Sequence, residues 1–288
     1  ASRRVDRNGP KSAGSASDQS MHKPFALVVL LLGLPAAAAL PELQAPEDVR
    51  ELLQRYLDLD EVADASAEVV FERRMQREVE KLLATEGYFS PRVSLRQRDD
   101  GLLLEVDPGP RSLVGSVEVE VVGDLDATRR ASLLNSWKLK SGQPFRQADW
   151  DDAKQSLLGE LLAVDYAGAR LQASSAEVDV EARRVDLRLV VATGPRYRFG
   201  DLRINGLERY SEELVRQFNR SVKPGNEYRE DSLLALQTAL QNTPYFSSVS
   251  VTLERADEDA KLAADDGWVS APVRIQLRER APYQVTFG

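Results

Sequence analysis

Between Arg196 and Arg280 the alternation of apolar and polar positions outlines a complete small fold. Tyr197, Phe199, Leu202 and Ile204 recur on a strand-like period across Tyr197–Leu207, and Asn205-Gly206 breaks it. Ser211 is placed to cap a helix that turns Leu214, Val215 and Phe218 inward. Lys223-Pro224-Gly225 reads as a turn, and a second helix over Glu230–Gln241 presents Leu233, Leu236, Ala239 and Leu240 until Asn242-Thr243-Pro244 stops it. Two more strands follow, Phe246–Glu254 with Phe246, Val249, Val251 and Leu253, then Val269–Glu279 with Val273, Ile275 and Leu277. The order is β-α-α-β-β.

The same order occurs upstream. Gly109-Pro110-Arg111-Ser112-Leu113-Val114-Gly115 aligns without a gap on Gly194-Pro195-Arg196-Tyr197-Arg198-Phe199-Gly200, and Gly142-Gln143-Pro144-Phe145-Arg146 aligns on Gly225-Asn226-Glu227-Tyr228-Arg229. A third landmark is an aromatic that closes a helix and opens a strand: Gly87-Tyr88-Phe89, Val164-Asp165-Tyr166 and Pro244-Tyr245-Phe246. Matches in one order at a period of about 80 residues define three units. The middle unit is read as Leu113–Val122, Ala127–Trp137, Ala148–Leu162, Ala169–Ser174 and Val185–Ala192. The first has a helix over Pro46–Leu57, a second over Phe71–Ala84, and strands at Val93–Arg98 and Leu102–Val106 joined by Asp99-Asp100-Gly101. Its opening strand is expected to be short or absent, because only Leu40–Leu43 remains before the helix. The predicted fold class is α+β: three tandem modules, each a three-stranded mixed sheet with two helices on one face.

The amino terminus changes the compartment. From Met21 the chain carries Lys23, an apolar run Phe25–Leu34 and the small residues Ala36–Ala39, the pattern of a secretory signal peptide cleaved after about Ala39. Ten apolar residues fall short of the roughly 20 that span a bilayer. Residues 1–20 are polar and Ser/Gly/Arg-rich and are read as a disordered or misannotated leader. The expected layout is leader 1–20, signal 21–39, modules at 40–110, 111–194 and 195–280, and a distinct tail at 281–288. Absence of cysteine excludes disulfides and thiolate metal sites. The charge of -8, with 46 acidic residues interleaved among 38 basic ones, argues against nucleic acid as a partner.

Enzymatic readings find little support. The single histidine, His22, lies in the signal segment, so no Ser-His or Cys-His nucleophile and no His-ligated zinc is expected after cleavage. Asp99-Asp100, Asp151-Asp152 and Asp265-Asp266 sit in turns or at a helix start, where adjacent acids are normally solvated, and only a carboxylate pair assembled by folding would revive a hydrolase. There is no GxxxxGK[ST] or GxGxxG run for phosphate. No catalytic residue, metal or cofactor is expected.

Three such units behind a signal peptide resemble the POTRA domains of the Omp85 superfamily of outer-membrane assembly proteins. The likeness is greatest to the translocation and assembly module branch, through Thr193-Gly194-Pro195-Arg196-Tyr197-Arg198-Phe199-Gly200 and Gly87-Tyr88-Phe89. The middle unit departs, having Val164-Asp165-Tyr166-Ala167-Gly168 where Gly-Tyr-Phe is the pattern, which leaves the start of its second strand open. The resemblance implies a location at the outer membrane on the periplasmic side and a C-terminal membrane β-barrel. Ala281–Gly288 looks like a first barrel strand cut short, so the barrel is expected to be missing or only begun here.

The resemblance also implies partners: unfolded outer-membrane protein substrates such as autotransporters, an inner-membrane-anchored periplasmic protein of the TamB kind, and the outer membrane through the barrel. Substrates would be held by β-augmentation, in which backbone bonds supply affinity and little sequence is read. The candidate edge is Ser247, Ser248, Val249, Ser250, Val251, Thr252 and Leu253, with Ser94–Arg98 second, and Arg73, Arg74 and Arg77 are candidates for the periplasmic partner. Alternating Val249, Val251 and Leu253 equally describe plain core, and the arginines equally describe a solvated helix face. Competing readings within the resemblance are the central barrel-assembly subunit, a two-partner secretion transporter and a POTRA-bearing division protein; three units fit none of their usual counts.

Overall fold

A computed structural model describes residues 41–59, 65–98, 101–255 and 267–281. The predicted leader, signal segment, Asp99-Asp100, Asp265-Asp266 and the tail from 282 onward lie outside the described residues.

The described chain builds three sheets in series. The first unit runs β1 (Glu42–Gln44), α1 (Glu47–Tyr56), α2 (Ala65–Thr85), β2 (Arg92–Arg98) and β3 (Gly101–Asp107). The second runs β4 (Leu113–Val122), α3 (Ala127–Asn135), α4 (Gln147–Ala163), β5 (Arg170–Asp179) and β6 (Arg184–Ala192). The third runs β7 (Arg196–Asn205), α5 (Glu212–Phe218), α6 (Glu230–Gln241), β8 (Phe246–Leu253) and β9 (Trp268–Glu279). Strand orders are β1-β3-β2, β4-β6-β5 and β7-β9-β8, with the first strand of each unit parallel to the last and the second antiparallel to it. The parallel pair requires a long crossover, and the two helices are that crossover.

The central position of the last strand follows from its sequence. In β9 the side chains of Val269, Ala271, Val273, Ile275 and Leu277 are buried, and in β6 those of Val185, Leu187, Leu189 and Val191 are. Each sheet thus presents one strongly apolar stripe to its own helices, and each unit has a separate core. The opening strand of the first unit is indeed short, three residues paired with Leu103–Glu105. Two elements run well past the sequence reading: α2, expected from Phe71, begins at Ala65, and β5, expected to end at Ser174, runs to Asp179. Ser174-Ser175-Ala176-Glu177 has no apolar alternation to reveal a strand, and only pairing with Asp186–Leu189 extends it.

The repeated sequence motifs occupy equivalent places. In the second unit Gly142 N–H donates to Val114 O, Val114 N–H to Gln143 O and Phe145 N–H to Ser112 O. In the third unit Gly225 donates to Phe199, Phe199 to Asn226 and Tyr228 to Tyr197. The Gly-x-x-aromatic segment before α4 and before α6 is therefore an arch pinned to the first strand of its unit. The preceding unit docks beside that arch, on the residues that hold it: Ser112 N–H donates to Gly87 O, and Tyr197 N–H donates to Asp165 O, both at 2.8 Å. Gly87 (φ +88°) and Asp165 (φ +66°) both adopt the left-handed conformation there. A Cβ on Gly87 would collide with the backbone oxygen of Phe145. The departure of the middle unit from Gly-Tyr-Phe thus keeps the backbone geometry with an aspartate, whose carboxylate is held by Arg129 at 2.8 Å. Past each turn a side chain enters the next unit: Phe89 packs on the second core and Ala167 is buried in the third.

Candidate functional site

A three-stranded sheet with the last strand of its unit in the middle has two edges, and the second strand of each unit forms the antiparallel one. Ser247–Leu253 belongs to such a strand, β8. Its register sets Val249 opposite Leu277 and Val251 opposite Ile275, so these valines face α6 and are buried. Ser248, Ser250 and Thr252 are exposed on the other face. Along the strand the backbone groups alternate between β9 and the outside, and Val249 and Val251 are the outward-facing residues. Two of their groups are occupied. Val251 N–H donates to Gln237 Oε1 at 3.1 Å, and Gln241 Nε2 donates to Val249 O at 3.2 Å. One helical turn separates the two glutamines, so α6 spans the edge it packs beside.

The middle unit presents a different edge. Every residue of β5 is exposed, including Leu171 at 37% and Val178 at 40%. Pairing sets Ser174 opposite Leu189, Ala176 opposite Leu187 and Val178 opposite Val185, so these three share the face of β6 that is buried against the helices, yet α4 does not cover them. Among the described residues no side chain hydrogen-bonds to the backbone of β5. In the first unit β2 is intermediate: Val93 and Leu95 pack on the core, while Arg96 pairs with Glu105 across the sheet at 3.1 Å and Arg98 with Glu42 at 3.1 Å. Ser94–Arg98 is thus an edge strand bordered by ion pairs.

Of the three candidate arginines on α2, Arg73 and Arg77 are exposed. Arg74 is half-buried and serves its own unit, donating to Asp58 O at 3.3 Å, lying over the Phe71 ring and approaching Glu78. Sequence reasoning had grouped all three as exposed; Arg74 is drawn inward by its bond to Asp58 O and its place over the Phe71 ring. Asp151 is tied to Lys154 at 2.8 Å, and the Lys154 bond, opposed by partial burial, holds its carboxyl below the ordinary range. No cluster of three or more His, Cys, Asp or Glu occurs among the described residues.

Two further groups are perturbed where units end or meet. Burial pushes Tyr228 up to about 12, with Glu230 adding to the rise, where its ring stands edge-on to Phe199 and its backbone receives Asp165 N–H. Glu279, at the end of β9, is only 7% exposed at the side chain. Desolvation alone would raise its pKa, but Glu208, Arg209 and Tyr210 N–H donate to one oxygen at 2.9, 2.9 and 3.1 Å and the Arg209 guanidinium to the other. The net result is a carboxyl held down at about 2.

The family model for POTRA, described as "surface antigen variable number repeat", matches residues 114–194 and 197–280, more than half of the chain. The chain belongs to the POTRA family. Solved structures to which it is similar include three POTRA-bearing chains. POTRA domains 3–5 of BamA from Haemophilus influenzae are 19% identical, over 84% of this chain and 96% of that one, with a TM-score of 0.48. POTRA domains 1–3 of Omp85 from Anabaena are 13% identical, over 84% and 95%, with a TM-score of 0.36. BamA from Haemophilus ducreyi lacking POTRA domains 1–3 is 17% identical, over 58% and 29%, with a TM-score of 0.45.

Among these POTRA units, the sequence reading singled out β8 and passed over β5. A signal for the glutamine cover was present: Gln237 and Gln241 lie one turn apart beside the buried Leu236 and Leu240. Read alone they pass for solvated helix residues. Nothing in Ala173-Ser174-Ser175-Ala176 marks it as an edge, because its exposure depends on where α4 ends up.

Proposed function

We propose that this chain is the periplasmic POTRA region of an Omp85-type outer-membrane assembly protein, of the translocation and assembly module kind (TamA-like), which assists insertion or secretion of outer-membrane proteins such as autotransporters. In this reading a signal peptide at 21–39 directs export with cleavage after Ala39, and the units divide at 40–110, 111–194 and 195–280. The observation that carries the reading is the repeated presentation of an antiparallel edge strand by three POTRA units in series. Such edges bind extended segments through backbone bonds, which suits substrates that share strands and little sequence. The substrate edges are β5 and Ser247–Leu253 of β8. The exposed Arg73 and Arg77 face of α2 receives an acidic surface of the inner-membrane-anchored, TamB-like partner.

The test is site-specific photocrosslinking in cells producing an autotransporter, with probes at Ser174, Ser248, Ser250, Arg73 and Arg77. Substrate adducts are expected at Ser174 and the β8 serines, and adducts of a large periplasmic protein at Arg73 and Arg77. Substrate adducts confined to helix faces, with none at either strand, would move substrate binding off the edges.

A further inference from the structure

We propose that Gln237 and Gln241 act as a removable latch on the outer edge of β8, so that this edge is open to a strand only when the two side chains swing away. The inference rests on the strand-binding reading for its purpose, but the latch itself is a property of the free protein.

Both bonds use the group that the edge requires. Val251 exposes an N–H, and Gln237 turns its carbonyl oxygen to it at 3.1 Å; Val249 exposes a C=O, and Gln241 turns its amide nitrogen to it at 3.2 Å. A single glutamine pair on one face of α6 therefore mimics two rungs of a neighbouring strand. The mimic is incomplete and reversible. Side-chain amides hold these positions through rotatable bonds at a net worth far below that of a ladder, and Gln241 is exposed. An incoming strand would replace both contacts with backbone bonds of the same polarity and leave no buried group orphaned. Displacing them disturbs no core, because the apolar anchors of α6 are Leu233, Leu236 and Leu240, which stay under the sheet.

The middle unit shows what the same position looks like without a latch. When the aromatic landmarks Tyr166 and Tyr245 are superimposed in sequence, the buried Leu157 and Leu161 of α4 fall on Leu236 and Leu240 of α6. Leu158 and Leu162 then stand where Gln237 and Gln241 stand. These leucines pack on the second core and can neither donate nor accept, and β5 beside them is uncovered. The latch of the third unit is thus absent from the middle one.

The experiment is backbone hydrogen exchange on the full chain, read at Val251 and at Ser250, whose amide faces β9. In the double variant Gln237→Met, Gln241→Met, which keeps side-chain length and removes the hydrogen bonds, the Val251 amide is expected to exchange about fivefold faster or more, with Ser250 unchanged. Gln237→Glu alone retains an acceptor and is expected to keep Val251 protected. A soluble decapeptide of alternating valine and threonine, added to the double variant with a photoprobe at Ser250, is expected to crosslink more than with the parent chain. Unchanged exchange at Val251 would overturn the latch. So would a matching rise at Ser250, since the glutamines would then be supporting the whole strand. Faster exchange at Val251 without a peptide adduct would leave the latch standing and remove β8 as a binding edge.

Discussion

β5 and β8 are the same strand of the same fold in consecutive units, each antiparallel to a central strand and each at the edge of its sheet. They meet their helices in opposite ways. β8 buries Phe246, Val249 and Val251 beneath α6 and has two backbone groups occupied by its glutamines; β5 offers Ser174 and Ala176 to the same side and is exposed throughout. Topology alone therefore does not decide whether an edge is available. A few residues decide it: valine against serine and alanine on the strand, and glutamine against leucine on the flanking helix. Natural sheets usually blunt their edges with charge, proline or a covering element. β8 follows that habit, while β5 carries charge only toward its ends, at Arg170, Glu177 and Asp179.

The sharpest way to break this contrast is thermodynamic. Val251→Ala removes two methyl groups from a site only 6% exposed, and is expected to cost about 2 kcal/mol, the transfer free energy of the lost groups plus part of a cavity. Val178→Ala makes the same chemical change at 40% exposure and should stay within about 0.5 kcal/mol. Urea midpoints of the two variants, compared at constant slope, measure both. Equal losses would mean that β5 is packed in solution and that the contrast between the edges is false.

Binding supplies the second comparison. Ser174→Lys with Ala176→Lys places two ammonium groups on the uncovered side of β5, a device that natural edges use against strand addition. Affinity of the chain for an extended valine–threonine peptide is expected to fall about tenfold, which corresponds to roughly 1.4 kcal/mol, with the urea midpoint unchanged. The same pair of lysines at Ser248 and Ser250, on the solvent face of the latched edge, is expected to change that affinity less than twofold. A titration read by fluorescence anisotropy of a labelled peptide distinguishes the two, and the reverse ranking would make β8 the standing edge.

Most of the architecture was readable because it depends on local periodicity. Leu113–Val122 and Glu230–Gln241 were bounded as the structure has them, and the three aromatic turns located the helix-to-strand transitions. The arch at Gly142 and Gly225 was visible as a repeat, though the junction made beside it was not, since that lies in backbone bonds of Ser112 to Gly87 and of Tyr197 and Tyr228 to Asp165. Edge availability was the least legible property. It depends on the register that sets Ala176 opposite Leu187 and on the reach of a side chain from a neighbouring helix, and neither leaves a periodic trace. The exposed Arg73 and Arg77 were foreseeable from the helical pattern, whereas the inward turn of Arg74 depended on Asp58, sixteen positions upstream.

The far ends of the central strands differ as well, and there pH is the lever. β9 ends on Glu279, which gathers the 208–210 loop; the corresponding end of the middle sheet is closed by Thr193, whose N–H donates to Val122 O. A carboxyl held below its ordinary value stabilises the fold fully above that value, 4.5, and the contribution drains as pH falls toward about 2. The amide resonances of Glu208, Arg209 and Tyr210 are expected to shift across that interval with a midpoint near 2, and that of Thr193 to stay still. Glu279→Gln should abolish the titration while retaining an acceptor for the loop. A midpoint near 4.5 would show the carboxylate to be solvated and the third sheet no more pH-sensitive at this end than the second.

The smallest expected effect tests whether the unit with the open edge and the unit with the latched one move together. Asp165 receives Tyr197 N–H on its carbonyl and donates its own N–H to Tyr228, so the junction is backbone-made and needs only a residue that tolerates φ +66°. Asp165→Gly relieves roughly 1 kcal/mol of left-handed strain. The change also removes an ion pair to Arg129 whose carboxylate is 17% exposed, a loss of similar size, and Arg129 keeps its bond to Val164 O. The sum is expected to lie within about 0.5 kcal/mol of zero, with the angle between the two units unchanged by residual dipolar couplings. Asp165→Ala loses the same ion pair without relief of strain and should cost about 1–2 kcal/mol. If glycine loosens the angle, the carboxylate rather than the backbone sets the junction. The two edges would then be presented on a joint that the Arg129–Asp165 pair alone keeps stiff.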